Sequence, residues 1–407
     1  MNKIFIISNC PGDVLRAAKK LDLEIILIND SIALWQIDLV DHYIEQNQFD
    51  YISLLKNIKD FLVSNEVNLI ATFDERAVPI TAKIAHELGI KHNSFESAYA
   101  SRNKYEMRLL FKHHGLNYPN FSKAETIEAA IKKIEDIGYP VVLKPLFGFA
   151  SQGVVRINNQ TELEHYFPLI KEIARSHDVF IEHDPNNKFL LIEEYIDGRE
   201  VAVDAIVYEN KAEFIGILDK PIPLVGPTFE ETIYITPSSE NDSIKDLIHK
   251  EVQNGIVALG IQMGPIHAEV RIYDDKAYVI EIASRAIGGV CGRAYTYCLG
   301  ENYYEIVLNS ILGNKQVIPK KTDNKPSGVM MIPVPKAGVI KKIEGIDEAR
   351  SVQGIKDVFI LAKKGDTVHL FPKQGCYLGF IIATGDTQND VFECLSKAHL
   401  HIEFDIK

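Results

Sequence analysis

Short apolar runs alternate with helix-period segments along the first part of the chain. The apolar runs cover residues 3–8, 24–29 and 67–73, and the helical segments cover residues 12–21, 51–65 and 75–88. Short apolar runs bounded by turn residues are typical of buried strands, whereas apolar spacings of three and four are typical of helices. The order predicts a small Rossmann-like, doubly wound α/β domain in residues 1–95. Its ligand crevice is expected beyond the strand ends, near Ser8 and Asp74.

Longer strands and charged helices follow. Helices are predicted at 97–114, 126–137, 160–173, 243–259 and 302–312, and strands at 189–193, 200–208, 212–219, 266–273 and 277–282. This pattern predicts a second domain over residues 96–313, with a small lid sub-domain at about 116–192. Beyond a polar linker at 313–326, residues 327–407 are predicted to form a separate α+β module with a helix at 388–398. The predicted fold class is α/β and α+β multidomain.

Composition and charge narrow the classes of partner. The chain has 407 residues, a formal charge of −12 and five scattered cysteines without a C-x-x-C pair. A net acidic chain argues against nucleic-acid or anionic-membrane partners, so an anionic ligand must be held by local Lys and Arg. No apolar run approaches the roughly 18 residues of a membrane span, and the cysteine usage favours a reducing compartment. We therefore expect a soluble cytoplasmic protein.

The stretch 141–153 is the first candidate for chemistry. A strand ends in Lys144, and a loop with Gly148, Ser151 and Gly153 precedes a second strand. Glycines let backbone N–H groups close on a phosphate, and Lys144 would supply a positive charge. Valines follow the loop in place of Lys and Ser/Thr, which excludes a P-loop. A nucleotide flap and a flexible surface hairpin both fit the stretch taken alone.

Glu269 and Glu281 form the second candidate. They lie on two predicted strands joined by the turn Asp274-Asp275, so they should face each other across the ladder. Two carboxylates about 4 Å apart repel by roughly 4 kcal/mol at an effective dielectric near 20. Mg²⁺ would remove that repulsion, with Mn²⁺ as a substitute. The alternative is two solvated strand residues that pair with lysines.

Taken in order, these pieces resemble the ATP-grasp superfamily over roughly residues 1–313. The resemblance rests on Lys104, on Lys144 with its glycine loop, on Leu-Ile-Glu-Glu-Tyr-Ile-Asp-Gly-Arg-Glu at 191–200, on Glu269, and on Glu-Ile-Ala-Ser-Arg at 281–285. It implies ATP held between two α+β sub-domains and activation of a carboxylate as an acyl phosphate. The resemblance also assigns residues 96–313 to the ATP-grasp domain.

The resemblance implies a role for each matching residue. Lys104 and Lys144 would reach the phosphates, Glu193 the adenine amino group and Glu200 the ribose, while Glu194, Tyr195 and Ile196 would lend backbone groups to the base. Glu269 and Glu281 would hold the metal, and Arg285 with the N–H groups of Gly288 and Gly289 would neutralise the reacting group. Ala283 stands where the family often has Asn, so a further metal contact would come from water, bidentate Glu281 or Ser284.

Within the superfamily the sequence is most similar to L-amino acid ligases, which form dipeptides. The similarity includes His267-x-Glu269, the loop 229–237 and the C-terminal module. It implies that Glu231, with Glu230 as the alternative, contacts the amine of the first amino acid. His267 is expected to orient Glu269 or to pack on its strand, with a general base as the alternative. Cys291 and Cys298 are expected to be buried and to carry no chemistry.

The predicted function is therefore ATP-dependent ligation of two amino acids through an aminoacyl phosphate. Two alternatives stay open: a biotin-carboxylase-like or purine-pathway ATP-grasp enzyme, and a non-catalytic ATP-binding regulatory protein. The expected partners are small-molecule amino acids and a second copy of the chain in a homodimer.

Overall fold

Four sheets organise the part of the chain that the structure describes. The computed structural model describes residues 2–175, 184–315, 318, 325–373, 375 and 377–407. Most of the predicted linker at 313–326 lies outside these residues, and so does Cys376. No helix in the described part is long and apolar enough to cross a membrane.

The first sheet is parallel and is covered by helices. Its strands have the order β3-β2-β1-β4, and the register aligns Ile4 of β1 with Ile25 of β2 and Leu69 of β4. The elements are β1 (Lys3–Ile7), α1 (Gly12–Lys20), β2 (Glu24–Asn29), β3 (His42–Glu45), α2 (Tyr51–Leu62), β4 (Leu69–Ala71) and α3 (Val78–Leu88). A sheet buried on both faces explains the nearly continuous apolar runs. The short strand β3 was missed.

Two helices replace the single helix predicted over 97–114. They are α4 (Phe95–Arg102) and α5 (Lys104–His113). The side chain of Asn103 accepts hydrogen bonds from the N–H groups of Tyr105 and Glu106, which is an N-cap. The break therefore places Lys104 in the first turn of a new helix.

The second sheet lies in the region predicted as the lid. It contains β5 (Phe121–Ala124), β6 (Val141–Pro145), β7 (Val155–Ile157) and β8 (Leu190–Glu194) in the order β5-β8-β6-β7, and α6 (Ile127–Ile137) and α7 (Gln160–Arg175) pack on it. In the antiparallel register of β6 and β8, Lys144 lies opposite Leu191 and Val142 lies opposite Glu193. Lys144 and Glu193 therefore lie on adjacent strands at diagonal positions.

The third sheet runs through the middle of the molecule and continues into the C-terminal residues. Its order is β13-β12-β9-β10-β11-β14-β18-β16. Its elements and neighbours are β9 (Arg199–Tyr208), β10 (Lys211–Asp219), β11 (Ile233–Thr236), α8 (Asp242–Leu259), β12 (Met263–Tyr273), β13 (Lys276–Ala283), α9 (Gly292–Leu299), α10 (Tyr303–Ile311), β14 (Ser327–Ile332), β16 (Ile355–Ile360) and β18 (Gly379–Thr384). The predicted separate C-terminal module thus shares its sheet with the preceding domain, because β11, which was predicted as loop, pairs with β14.

The remaining sheet is small and C-terminal. It contains β15 (Gly338–Glu344), β17 (Thr367–Val368) and β19 (Glu403–Ile406) in the order β17-β15-β19. The two helices of this region are α11 (Ile346–Ser351), which follows β15, and α12 (Gln388–His399), which precedes β19. The predicted mixture of α/β and α+β architecture is confirmed. The domain boundaries at 95, 313 and 327 stay predictions.

We expect helix α5, which begins with Lys104, to depend on Phe111 for its attachment to the central sheet. Phe111 is fully buried among residues of α8, β12 and β13. Phe111→Ala should lower the free energy of unfolding by about 3–5 kcal/mol, because it leaves a cavity in this core. Leu109→Ala is the matched control, since Leu109 is 40% exposed on the same helix. Equal denaturant midpoints for the two variants would contradict the assignment.

Candidate active site

A cavity of about 750 Å³ separates the lid sheet from the central sheet and collects most of the predicted nucleotide residues. Its walls include Lys104, Lys144, Gly148, Ser151, Glu193, Glu194, Tyr195, Ile196, Glu200, Glu269 and Glu281. Clefts that combine apolar walls with a few convergent polar groups are typical of small-molecule and cofactor sites. The structure therefore brings together residues that lie as much as 177 positions apart in the chain, as the hydrogen bond from Lys104 to Glu281 shows.

Lys104 links the lid loop to the predicted metal site. Its Nζ donates to the carbonyl oxygen of Gly148 at 2.8 Å and to Oε1 of Glu281 at 3.0 Å. Its backbone N–H also donates to the carbonyl of Leu146, just after β6. Lys104 is buried, so it does not belong to a solvated face of α5.

Lys144 and Glu193 form a buried ion pair with Arg108. Lys144 Nζ lies 2.5 Å from one oxygen of Glu193, and Arg108 Nε lies 2.6 Å from the other. Burial lowers the pKa of Lys144, although Glu193 opposes this. Burial alone would raise the pKa of Glu193, but Arg108 and Lys144 lower it. Both oxygens of Glu193 thus face cations, and a role for Glu193 at adenine stays a prediction.

In the segment after Glu193, the residues Glu194 and Ile196 are hydrogen-bonded within the protein, whereas Tyr195 packs in an apolar cluster. The side chain of Glu194 accepts from Asn120, and the carbonyl of Ile196 accepts from Arg271 at 2.8 Å. Tyr195 packs with Leu224 and Phe229, and Val142 and Val154 pack against them. This apolar cluster is a surface on which a flat ring can stack.

The glycine loop is attached to the C-terminal part of the chain. The N–H of Gly153 donates to the carbonyl of Pro372 at 3.0 Å, and Nε2 of Gln152 donates to the carbonyl of Lys373 at 2.7 Å. Gly153 has a φ of +74°, and Ala150 and Ser151 also have positive φ. The left-handed backbone at Gly153 is the conformation for which glycine is suited.

Lys220 lies between three carboxylates and was not predicted. Its Nζ is 2.5 Å from Glu200, forms an ion pair with Glu231 and is 3.7 Å from Glu269. One oxygen of each carboxylate lies within 4.8 Å of the others. Burial alone would lower the pKa of Lys220, but Glu200, Glu231 and Glu269 raise it well above its usual value. This cluster has the form of a cation site, and the cation is the Lys220 ammonium.

Glu269 and Glu281 face each other as predicted. The register of β12 and β13 pairs them directly, with an irregularity immediately after Glu269. Burial raises the pKa of Glu269 to about 7; Lys220 opposes this rise and Glu231 adds to it. Because the negative charge of Glu269 is only partly compensated, Glu269 and Glu281 would suit a hard divalent cation.

Ser284 is excluded as a further ligand at this place. Its hydroxyl is hydrogen-bonded to that of Ser101 at 2.9 Å, and it lines a different cavity beside the N-terminal sheet. Of the three alternatives for the further metal contact, the structure therefore disfavours Ser284. Water and bidentate coordination by Glu281 remain.

A second cavity, with an empty volume of about 1450 Å³, adjoins the first. Both are lined by Phe149, Ala150, Glu269 and Glu281, and the second also contains Glu231, Arg285, Gly288 and Gly289. Glu230 is absent from the described lining of this cavity, so the geometry favours Glu231 of the two candidates.

Arg285 is held by the N-terminal unit. Its Nε forms an ion pair with Glu75, and its Nη1 donates to the carbonyl of Ala286 at 2.7 Å. Glu75 is buried and also lies 3.4 Å from Arg102. Burial alone would raise the pKa of Glu75, but Arg285 and Arg102 lower it. Glu75 was not predicted as a site residue.

His267 contacts a buried carboxylate, and the two cysteines near the site are buried. Nδ1 of His267 lies 3.3 Å from Oδ2 of the fully buried Asp204, which also accepts from the hydroxyl groups of Tyr295 and Tyr303. Because His267 is buried and directed toward Asp204, the structure favours packing on its strand over the alternative that it orients Glu269. Cys291 and Cys298 are buried and unpaired, as expected, and burial raises the pKa of both thiols.

Two of the missed residues had a signal in the sequence. Arg271 follows Glu269 by two positions on one strand and pairs with Glu200 across the ladder. Lys220 follows β10, whose last residue Asp219 pairs with Val201, next to Glu200. Pairing the predicted strand 200–208 with the predicted strands 212–219 and 266–273 would have placed both cations beside Glu200. Glu75, Arg108 and Asp204 had no comparable signal, because their partners lie on distant segments.

Comparison with known proteins agrees with this geometry. Residues 137–294 match the ATP-grasp domain family, and residues 330–407 match the L-amino acid ligase C-terminal domain 2. The L-arginine-specific L-amino acid ligase of Bacillus subtilis is 25% identical over 334 residues, which cover 78% of each chain. The alanine–anticapsin ligase of Bacillus subtilis is 27% identical over 54% of this chain and 49% of that protein.

Solved structures extend the comparison to the whole chain. The crystal structure of L-amino acid ligase from Bacillus licheniformis matches with a TM-score of 0.87 and 25% identity, over 100% of this chain and 99% of that one. N5-carboxyaminoimidazole ribonucleotide synthetase from Thermotoga maritima matches with a TM-score of 0.74 and 17% identity, over 100% of both chains, which shows the shared fold alone. The predicted resemblance to ATP-grasp ligases of the L-amino acid ligase type is confirmed.

We expect Lys220→Met to destabilise the protein by about 3–5 kcal/mol, because it leaves three neighbouring carboxylates without their cation. Denaturant unfolding measures this change. Lys19→Met is the control, since Lys19 forms a more exposed ion pair with Asp41. The double variant Lys220→Met/Glu231→Gln should lose less stability than the sum of the two single variants. Simple additivity would contradict the shared role of Lys220.

The raised pKa of Glu269 predicts a pH-dependent effect of Glu269→Gln in metal-free protein. The folded state holds a proton on Glu269 up to about pH 7, whereas an unfolded Glu loses it near pH 4.3. Ionised Glu269 therefore lowers stability progressively as pH rises between these values. Glu269→Gln should gain about 2 kcal/mol more in stability, relative to wild type, at pH 8 than at pH 5.5.

Denaturant unfolding in EDTA at the two pH values checks this expectation. Glu301→Gln, at an exposed position, is the control. A gain that is the same at both pH values would show that Glu269 is already ionised at pH 5.5.

Proposed function

We propose that this chain, an ATP-grasp protein of the L-amino acid ligase type, joins two amino acids into a dipeptide and converts ATP to ADP and phosphate. One observation carries the proposal. The cavity with the nucleotide residues and the cavity with Glu231 and Arg285 meet at Glu269 and Glu281. An ATP γ-phosphate and an amino acid carboxylate entering from opposite sides would meet there.

The residues of the first cavity fit ATP. Lys104 and Lys144 supply positive charge, the loop residues Gly148 and Ser151 would supply backbone N–H groups, and the cluster around Tyr195 supplies an apolar surface. The N–H of Gly153 is already bonded to the carbonyl of Pro372, so Gly153 would shape the loop instead of binding phosphate. Glu200 would accept from the ribose. These donors and acceptors match the charge and shape of a nucleoside triphosphate.

Glu269 and Glu281 would hold Mg²⁺, or Mn²⁺ in its place. The fit rests on two directly paired carboxylates, one with its pKa raised to about 7. When bound, the ion would neutralise phosphate charge and orient the transferred group.

The reaction has two displacements. A carboxylate oxygen of the first amino acid attacks the γ-phosphorus, and ADP leaves, which gives an aminoacyl phosphate. The amine nitrogen of the second amino acid then attacks the carbonyl carbon; phosphate leaves, and the nitrogen loses a proton. In this chain Glu231 would hold the ammonium of the first amino acid, while Arg285 and the N–H groups of Gly288 and Gly289 would stabilise charge on the reacting group.

The test is phosphate release from ATP and Mg²⁺ with single amino acids and with all pairs, followed by mass spectrometry. Ligation gives a product whose mass is one water below the sum of the two amino acids. Phosphate release that requires bicarbonate instead would favour a carboxylase. ATP binding without turnover for every pair would favour a regulatory protein. The homodimer and the cytoplasmic location stay predictions.

Arg285→Ala should reduce kcat by at least about 10²-fold, the loss typical of removing one group that stabilises a developing negative charge. Arg16→Ala is the control, because Arg16 is an exposed residue paired with Asp13. The phosphate-release assay gives both rates, and circular dichroism shows whether the variants fold. A folded Arg285→Ala variant with a near wild-type rate would contradict the assigned site.

A further inference from the structure

The second cavity has walls of two different kinds. The wall from the N-terminal unit contains Asn9, Asp74 and Arg76, and Asp74 and Arg76 form an ion pair. Another part of the lining is formed by Ile287, Cys291, Met331 and Phe380, which we call the apolar wall. All four of these side chains are buried and belong to one hydrophobic cluster. This side of the cavity therefore offers van der Waals contact without charge.

The apolar wall lies next to the segment of Glu231, which was predicted to contact the amine of the first amino acid, and next to the segment of Arg285, which was predicted to neutralise the reacting group. The N–H of Met331 donates to the carbonyl of Thr232 at 2.7 Å, directly after Glu231 in the chain. Gly289 approaches the same wall from the segment that follows Arg285. A Cβ added at Gly289 would lie 3.1 Å from Sδ of Met331 and 3.7 Å from the ring of Phe380. The two segments that carry Glu231 and Arg285 thus meet at Met331.

Gly289 keeps space open in front of this wall. Its φ is +60°, a backbone conformation that other residues rarely adopt, and any larger side chain there would press against Met331. A ligand can therefore reach Met331 and Phe380 past the backbone of Gly289.

Resting on the proposed function, we propose that the apolar wall is the side-chain subsite of the amino acid whose carboxylate is activated, and that it takes large apolar side chains. Leucine, methionine and phenylalanine match it, because burying their side chains against Met331 and Phe380 removes apolar surface from water. Arginine and aspartate do not match it, since the described residues of the apolar wall offer no group of opposite charge and a buried charge needs a partner. This residue becomes the N-terminal one of the dipeptide.

The experiment measures kcat/KM for phosphate release with leucine, methionine, phenylalanine, alanine, aspartate and arginine as activated amino acids. Tandem mass spectrometry identifies the N-terminal residue of each product. The three large apolar amino acids should exceed alanine by at least about tenfold and should occupy the N-terminal position. Preference for arginine, aspartate or alanine at that position overturns the subsite but leaves amino acid ligation standing. Absence of phosphate release with every pair overturns the proposed function itself.

A pair of variants localises the preference. Met331→Ala enlarges the subsite and should raise the ratio of phenylalanine to leucine activation by about tenfold. Met330→Ala is the matched control, because Met330 is equally buried on the other face of β14, in a different cluster. It should leave the ratio unchanged even if it lowers stability. An unchanged ratio in folded Met331→Ala, or an equal change in both variants, contradicts the assignment.

Discussion

The candidate active site depends on the ion pairs that the ammonium group of Lys220 forms with three carboxylates. Glu200, Glu231 and Glu269 come from different segments, and each lies within 4 Å of this one cation. One oxygen of each carboxylate lies within 4.8 Å of the others, and two carboxylates that close repel by roughly 3 kcal/mol at an effective dielectric near 20. The Lys220 ammonium offsets this repulsion. The three carboxylates proposed to bind the ribose, the amine and the metal are therefore positioned by one shared contact.

The site is assembled from every part of the chain. The N-terminal unit contributes Glu75, which fixes Arg285, and the lid contributes Lys144 and its glycine loop. The C-terminal residues contribute Met331 and the carbonyl groups of Pro372 and Lys373, which hold that loop. No one sheet of the described residues contains a complete set of binding groups, which explains why the sequence motifs were weak when taken singly.

The sequence predicted what local patterns determine. The order of strands and helices, the opposition of Glu269 and Glu281 and the burial of Cys291 all follow from periodicity and turns. The break at Asn103 was missed because its capping side chain was counted as part of a charged helix. Strand β11 was missed because it is short and follows a proline-rich loop. Glu75 and Asp204 could not be identified, since their roles come from contacts with distant segments, which a single sequence does not encode locally.

The pairing of β11 with β14 has a consequence for dividing the chain. A fragment that ended before β14 would expose the backbone N–H and C=O groups of β11 along a free edge, and such edges recruit strands from other molecules. Strand β11 begins two residues after Glu231, and its residues Ile233, Tyr234 and Ile235 are all buried. Exchange of the C-terminal part between related chains must therefore preserve a matching edge strand, or the product will self-associate before it can bind a substrate.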